Sequence, residues 1–379
     1  MAGGFRSRNM DIDVWYRSKI IIGGEIMAGE KQNYTDGLSE EIVVLRQSGK
    51  LEAETASEDK KKLVIFMAIT FLLPVLMGIL MGIQYKRGFD VSVFVLLQTY
   101  YPSLGVIIAT WVVNKNGEYP KRFYGGFVAL TAILFIYSSF TIFFPSKEAN
   151  SVPDIIISAG SLLLLILFFA DGKNIREACG LGFKNGEKGI HLIALFFLLY
   201  MARAIIGSTI DGSLRELFSN FGMMSVMIFI LLPFSFLFSY TAFLGEEYGW
   251  RYFLQPLLFK YLGSKKGILL LGVLWGIWHL PINMFYYSPD TWLQSVCVQL
   301  STCISLGIFF GYSYLKTNNI WILVIMHYIN NNMVLVFMGT DDVSNQILSW
   351  SDVSVSVIIN LILFVPFIFT KEFSEGKQK

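Results

Sequence analysis

Ten apolar runs follow one another from Leu63 onward, separated by short polar breaks, and most are long enough to cross a bilayer. They cover approximately 63–83, 92–113, 124–144, 155–170, 190–207, 222–247, 267–287, 292–315, 319–339 and 353–370. The fourth and fifth are short, so a count of eight or nine also satisfies the pattern. Hydrocarbon offers no water to unpaired backbone groups, and the runs lack the alternation of barrel strands. The fold class that follows is all-α: a polytopic transmembrane helical bundle of about 8–10 spans, multi-pass in the cell membrane with the lipid bilayer around it. A soluble chain of 379 residues would need more polar surface than one that is 54 % apolar and 15 % charged.

Basic residues orient the bundle. Lys60–Lys62 precede the first run, "NKNGEYPKR" follows the second, and "DGKNIREACGLGFKNGEKG" follows the fourth. Arg251 through Lys266 follow the sixth, and Lys371, Lys377 and Lys379 end the chain, whereas the alternate loops carry almost no lysine or arginine. "QYKRGFD", after the first run, dissents. Ten spans with both termini in the cytoplasm fit this bias. Residues 1–62 then form a cytoplasmic, partly disordered extension without a signal-peptide core, 63–371 a membrane domain, and 372–379 a cytoplasmic tail. The net charge of +2 comes with no basic face, so nucleic acid is not an expected partner, and three scattered cysteines make neither a disulfide frame nor a thiolate cage.

Against this background a few polar residues stand out. "FLGEEYGWRYFLQPLL" sets Glu246 and Glu247 between apolar stretches. Glu247 and Arg251 are four apart, acid first, and share a helix face as an ion pair. Glu246 points about 100° away, so Arg251 cannot neutralise both, and Glu246 is left for other work. In "GVLWGIWHLPINMF", His279 lies well inside its run, with Trp275 one turn earlier on the same face. In "IWILVIMHYINNNMVLVF", His327 is followed at i+3 and i+4 by Asn330 and Asn331. Each histidine alone reads as a polar contact between helices, whereas the glutamates do not read as merely interfacial, because Pro233 bends the run and apolar, aromatic residues continue beyond them. Together, on three helices, they are less costly around one wet cavity than apart. His191 opens the fifth run beside Lys188 and reads as surface.

A carboxylate, two imidazoles and a carboxamide are the parts for hydrolysing an amide bond. Glu246 would take the proton from water with help from His279, and His327 and Asn331 would bond the oxyanion. Alternatively, Glu246, His279 and His327 could ligate zinc. No H-E-x-x-H, G-x-S-x-G or cysteine–histidine arrangement points to another hydrolase chemistry.

The ordered trio "EEYGWR", "WGIWH" and "HYINN" resembles the E-E-x-x-x-R, F-x-x-x-H and H-x-x-x-N motifs of the CAAX prenyl endopeptidase and bacteriocin-processing (Abi) family of intramembrane proteases, over a protease-like core at about 220–340. The resemblance implies a glutamate-dependent membrane endopeptidase. Glu246 would be its base, His279 would assist, His327 and Asn331 would serve the oxyanion, and Glu247 and Arg251 would be structural. It leaves metal dependence open. Trp275 departs from the family's usual Phe and adds bulk at the site. The implied partner is a peptide or membrane-protein substrate, such as a prenylated CAAX peptide or a leader peptide, cleaved at the cytoplasmic side. A non-catalytic bacteriocin-immunity or peptide-binding protein on the same fold is the alternative. A transporter with a proton relay would favour paired repeats, which the sequence does not display.

Overall fold

The computed structural model describes residues 55–114, 117–149, 151–219, 222–338 and 343–374. The proposed extension, apart from residues 55–62, and the end of the tail lie outside the described residues. Contacts divide the chain into Met1–Glu58 and Asp59–Lys379. The bundle from Asp59 onward occupies the second unit, and of the first only residues 55–58, the first residues of a helix, are described.

Among the described residues, ten helices are long and apolar enough to cross a membrane: α1 Thr55–Lys86, α2 Ser92–Val113, α3 Lys121–Phe143, α4 Val152–Ala170, α5 Gly186–Ile210, α6 Met223–Leu262, α7 Ser264–Tyr287, α8 Pro289–Thr317, α9 Ile320–Phe337 and α10 Trp350–Phe369. The described residues contain no strand. The all-helical, multi-pass reading therefore holds, and each expected run finds its helix. Helices four and five exceed the apolar stretches that signalled them, because polar turns such as Gly186-Glu187-Lys188 are wound into the helix rather than left as loop.

One boundary differs in a way that matters. The sixth run was expected to end at 247, yet α6 continues unbroken to Leu262. The two glutamates and Arg251 lower local hydropathy enough to look like an end, while the aromatic stretch behind them keeps the helix going. The carboxylates thus lie within the helix rather than at its exit.

Prolines shape the helices near these residues. Three π-helical segments, Ala68–Leu72, Tyr248–Leu254 and Asn283–Tyr287, each lie two residues from a proline: Pro74, Pro256 and Pro281. Proline lacks an N–H for the carbonyl four residues back, and a local widening lets other donors reach the freed oxygens. The Thr70 carbonyl, four before Pro74, is taken instead by the Trp278 indole N–H at 2.9 Å. Close helix approach depends on small residues spaced by four. A Cβ on Gly245 or Gly249 would collide with α2 at Thr99 or Pro102, and one on Gly78 or Gly82 would strike Pro281 or Phe285 of α7. Glycines therefore flank the glutamate pair and let α2 lie directly against it.

Burial is uneven. In the most apolar stretch of each helix, 67 % of residues are buried in α2 and 61 % in α9, against 22 % in α5. Central α2 and α9 pack on α6, and α7 packs on α8. Helices α1, α3, α4, α5 and α10 turn broad apolar faces outward, with residues such as Ile136, Ile166, Ile190 and Ile362 exposed. That pattern suits lipid on the outside and polar groups within.

Candidate active site

Helix α6 changes character along its length, and the change sets up the site. From residue 240 to 255 nearly every side chain is buried, including Glu246, Glu247, Arg251 and Gln255. Hydrogen bonds from neighbouring helices fix this half. The Tyr100 hydroxyl lies 2.9 Å from the Thr241 hydroxyl, and Ser103 Oγ donates to the Leu244 carbonyl at 3.0 Å. Ser161 of α4 reaches the same threonine at 2.7 Å.

Glu247 is fully buried and has two partners. Arg251 Nε lies 3.3 Å from Oε2 and Nη1 donates to Oε1 at 3.4 Å, while His327 Nδ1 from α9 lies 2.8 Å from Oε1. The expected i,i+4 pair is present, and the histidine contact across helices is an addition that helix spacing alone could not supply. A cation and a carboxylate buried together are far less costly than either alone.

Glu246 is not left bare. The Trp275 indole N–H donates to Oε2 at 2.8 Å, so Oε1 is the oxygen left for chemistry. The Trp275 ring itself is also occupied, with the Arg251 guanidinium 4.2 Å from the ring centroid and the His327 ring edge-on at 5.5 Å. Trp275 thus joins α6, α7 and α9 at one point. The phenylalanine usual at this place in the resembling family could stack on Arg251 but could not donate to Glu246.

His279 sits where α7 breaks, between the α-helix Ser264–Trp278 and the short turn Leu280–Ile282. Pro281 forces the break, and Gln98 Nε2 from α2 satisfies the Trp278 carbonyl at 2.7 Å. His279 Nδ1 lies 2.8 Å from the Trp275 carbonyl. A carbonyl only accepts, so Nδ1 carries the proton and Nε2 keeps its lone pair. Cys303 of α8 lies 3.9 Å from the same Nδ1, a neighbour that the sequence did not flag.

The structure brings Glu246, Glu247, Arg251, Trp275 and His327 into direct contact and ties His279 to them through the Trp275 backbone. Asn331 lies one turn beyond His327 and is exposed, and its Oδ1 accepts from Asn330 Nδ2 at 2.9 Å. His191 is exposed and bonds only its own turn, at the Glu187 carbonyl. The zinc alternative does not fit the donors. Among the described residues no three or more His, Cys, Asp or Glu side chains are grouped to hold a metal ion.

Arg203 of α5 was also missed. Its Nη2 reaches Asn330 Oδ1 at 3.5 Å. A lone arginine in "LYMARAIIG" is itself a signal, because an ionisable group inside an apolar span needs a reason to be there.

The family model described as "Rce1-like: Type II CAAX prenyl endopeptidase Rce1-like" matches residues 226–333, under a third of the chain, and that segment contains every residue of this cluster. No match was found among curated proteins or among solved structures.

Proposed function

We propose, from the match of residues 226–333 to the Rce1-like type II CAAX prenyl endopeptidase family model, that this multi-pass membrane protein hydrolyses peptide bonds by glutamate-activated water. The observation that carries the reading is the junction at Trp275. There α6, α7 and α9 contribute a carboxylate with one oxygen uncommitted and two imidazoles held by different partners.

The partners assign different roles to the two histidines. His279, protonated at Nδ1, offers the Nε2 lone pair to a water and orients it beside Glu246 Oε1. Glu246 removes a proton as that water attacks the scissile carbonyl, and later gives the proton to the leaving amine. His327 needs protons on both nitrogens to bond Glu247 at Nδ1 and the oxyanion at Nε2, and Glu247 carries the balancing charge. Asn331 adds its amide N–H groups to the same oxyanion. Arg251 holds Glu247 and lies over Trp275, so its role is structural. The distribution of lysine and arginine supports cleavage at the cytoplasmic side, and the family name supports a prenylated CAAX peptide as substrate.

The test is cleavage of a prenylated CAAX reporter by purified Glu246→Gln and His279→Ala proteins that accumulate in membranes like the unaltered chain. Removing the base should lower turnover by at least about 10²–10⁴-fold. Full cleavage by both variants would overturn the mechanism.

A further inference from the structure

The geometry points to Arg203 as a positioning residue that fixes the oxyanion-binding face of Asn331 through Asn330. This inference rests on the oxyanion role proposed for Asn331. It starts from a property of arginine: the guanidinium has five N–H donors, no acceptor, and a permanent charge. A carboxamide can rotate by half a turn and exchange its oxygen for its nitrogen, so an asparagine on a helix face does not by itself know which end to present.

Here the choice is made by a chain of three side chains. Arg203 Nη2 lies 3.5 Å from Asn330, and because it only donates, the atom facing it must be Oδ1. Asn330 then has Nδ2 on its other side, and that group donates to Asn331 Oδ1 at 2.9 Å. With its oxygen engaged, Asn331 keeps Nδ2 and its two N–H donors outside that bond, on an exposed residue. An oxyanion requires donors, and the flipped amide would present an oxygen and repel it. One cation on α5 thus sets the polarity of two amides on α9.

The position of Arg203 supports a dedicated role. It stacks over Tyr200, one turn earlier, with the guanidinium 5.0 Å from the ring centroid. It lines an open cavity of about 420 Å³ together with Asn330 and Thr302. Two acidic residues, Asp211 and Asp352, border the same cavity, but both are engaged locally. Asp211 accepts from the Ser213 N–H at 2.8 Å, and Asp352 forms a capping box with Ser349. Asn330 is therefore the polar group that Arg203 addresses across the helix interface. An arginine is costly to place inside an apolar helix, so its presence there calls for a partner.

The test uses the full-length protein in detergent, a prenylated CAAX reporter peptide and a double-mutant cycle. Arg203→Met keeps the bulk and removes the donor. It should lower kcat between about tenfold and about 10²-fold with KM little changed. Arg203→Lys, still a donor-only cation, should restore most of the rate. In an Asn331→Ala background Arg203→Met should have no further effect, since there is no amide left to orient. Equal losses in both backgrounds, or no rescue by lysine, would overturn the inference. An Asn331→Ala protein that cleaves normally while Glu246→Gln is dead would instead remove the oxyanion role on which it rests. A readout independent of cleavage is the thermal stability of Arg203→Met, Asn330→Leu and the double variant. Their shifts in Tm should be non-additive, and strict additivity would show that the two side chains do not interact.

Discussion

The two halves of α6 have almost opposite environments. Residues 223–239 present Met223, Met224, Ile230, Leu231 and Phe234 to the outside, and Pro233 sits among them. Residues 240–255 are enclosed and carry two carboxylates, a guanidinium and a carboxamide. Hydrophobicity therefore does different work along one continuous helix. In the first half it addresses lipid, which is as apolar as the side chains themselves and gives little drive to pack. In the second half order comes from close glycine contacts, interhelical hydrogen bonds and a buried ion pair. Stability and chemistry are concentrated in the half with the less lipid-like sequence, and substitutions can put that division to the test.

The largest expected effect on stability is at Arg251. Arg251→Met leaves Glu247 buried with His327 as its remaining side-chain partner and removes the cation over Trp275. Breaking a fully buried pair in this way should cost about 3–5 kcal/mol. The expected result is a steep loss of membrane accumulation and a lowered Tm in detergent. If Arg251→Met stayed as stable as the unaltered chain, the second half of α6 would not depend on its ion pair, and the contrast between the halves would fail.

Trp275 gives a smaller and more specific effect. Trp275→Phe keeps a ring beneath Arg251 and removes the one hydrogen bond to Glu246 Oε2. A hydrogen bond to a charged group is worth about 1.5–3 kcal/mol, part of which the phenylalanine ring and incoming water recover. Stability should fall modestly, by about 1 kcal/mol. Reporter cleavage should slow in kcat with KM little changed, because Glu246 loses the donor that holds Oε2 and so orients Oε1. An unchanged kcat would mean that the indole N–H does not address the base during turnover.

Much of this was legible in the chain before any coordinates. Ten spans could be counted because hydrocarbon tolerates so few polar residues, and Glu247 with Arg251 followed from helical spacing. What sequence could not supply were distances between helices. Nothing in "HYINN" says that His327 turns to Glu247, and nothing in "WGIWH" says that Trp275 reaches Glu246. The sixth helix runs past the apolar stretch that signals it, because charges that lower local hydropathy are compensated in place within the bundle. Arg203 was passed over for a different reason. A single cation in an otherwise apolar run is as costly as a carboxylate there, yet no motif spacing singles it out.

The finest test compares two aliphatic residues on the same helix. Ile230 is 61 % exposed in the first half, and Leu244 is 1 % exposed in the second. Shortening Ile230 to alanine removes contacts with lipid, which flows in to replace them, so stability should change by no more than about 0.5 kcal/mol. Leu244→Ala opens a void between α6 and its neighbours that the packed helices cannot close, and should cost about 2–5 kcal/mol. The ratio of the two matters more than either value, because both substitutions remove aliphatic carbon from the same helix. Equal losses would place the first half inside an interface rather than against lipid. A large loss at Ile230 alone would reverse the assignment of which half holds the bundle together.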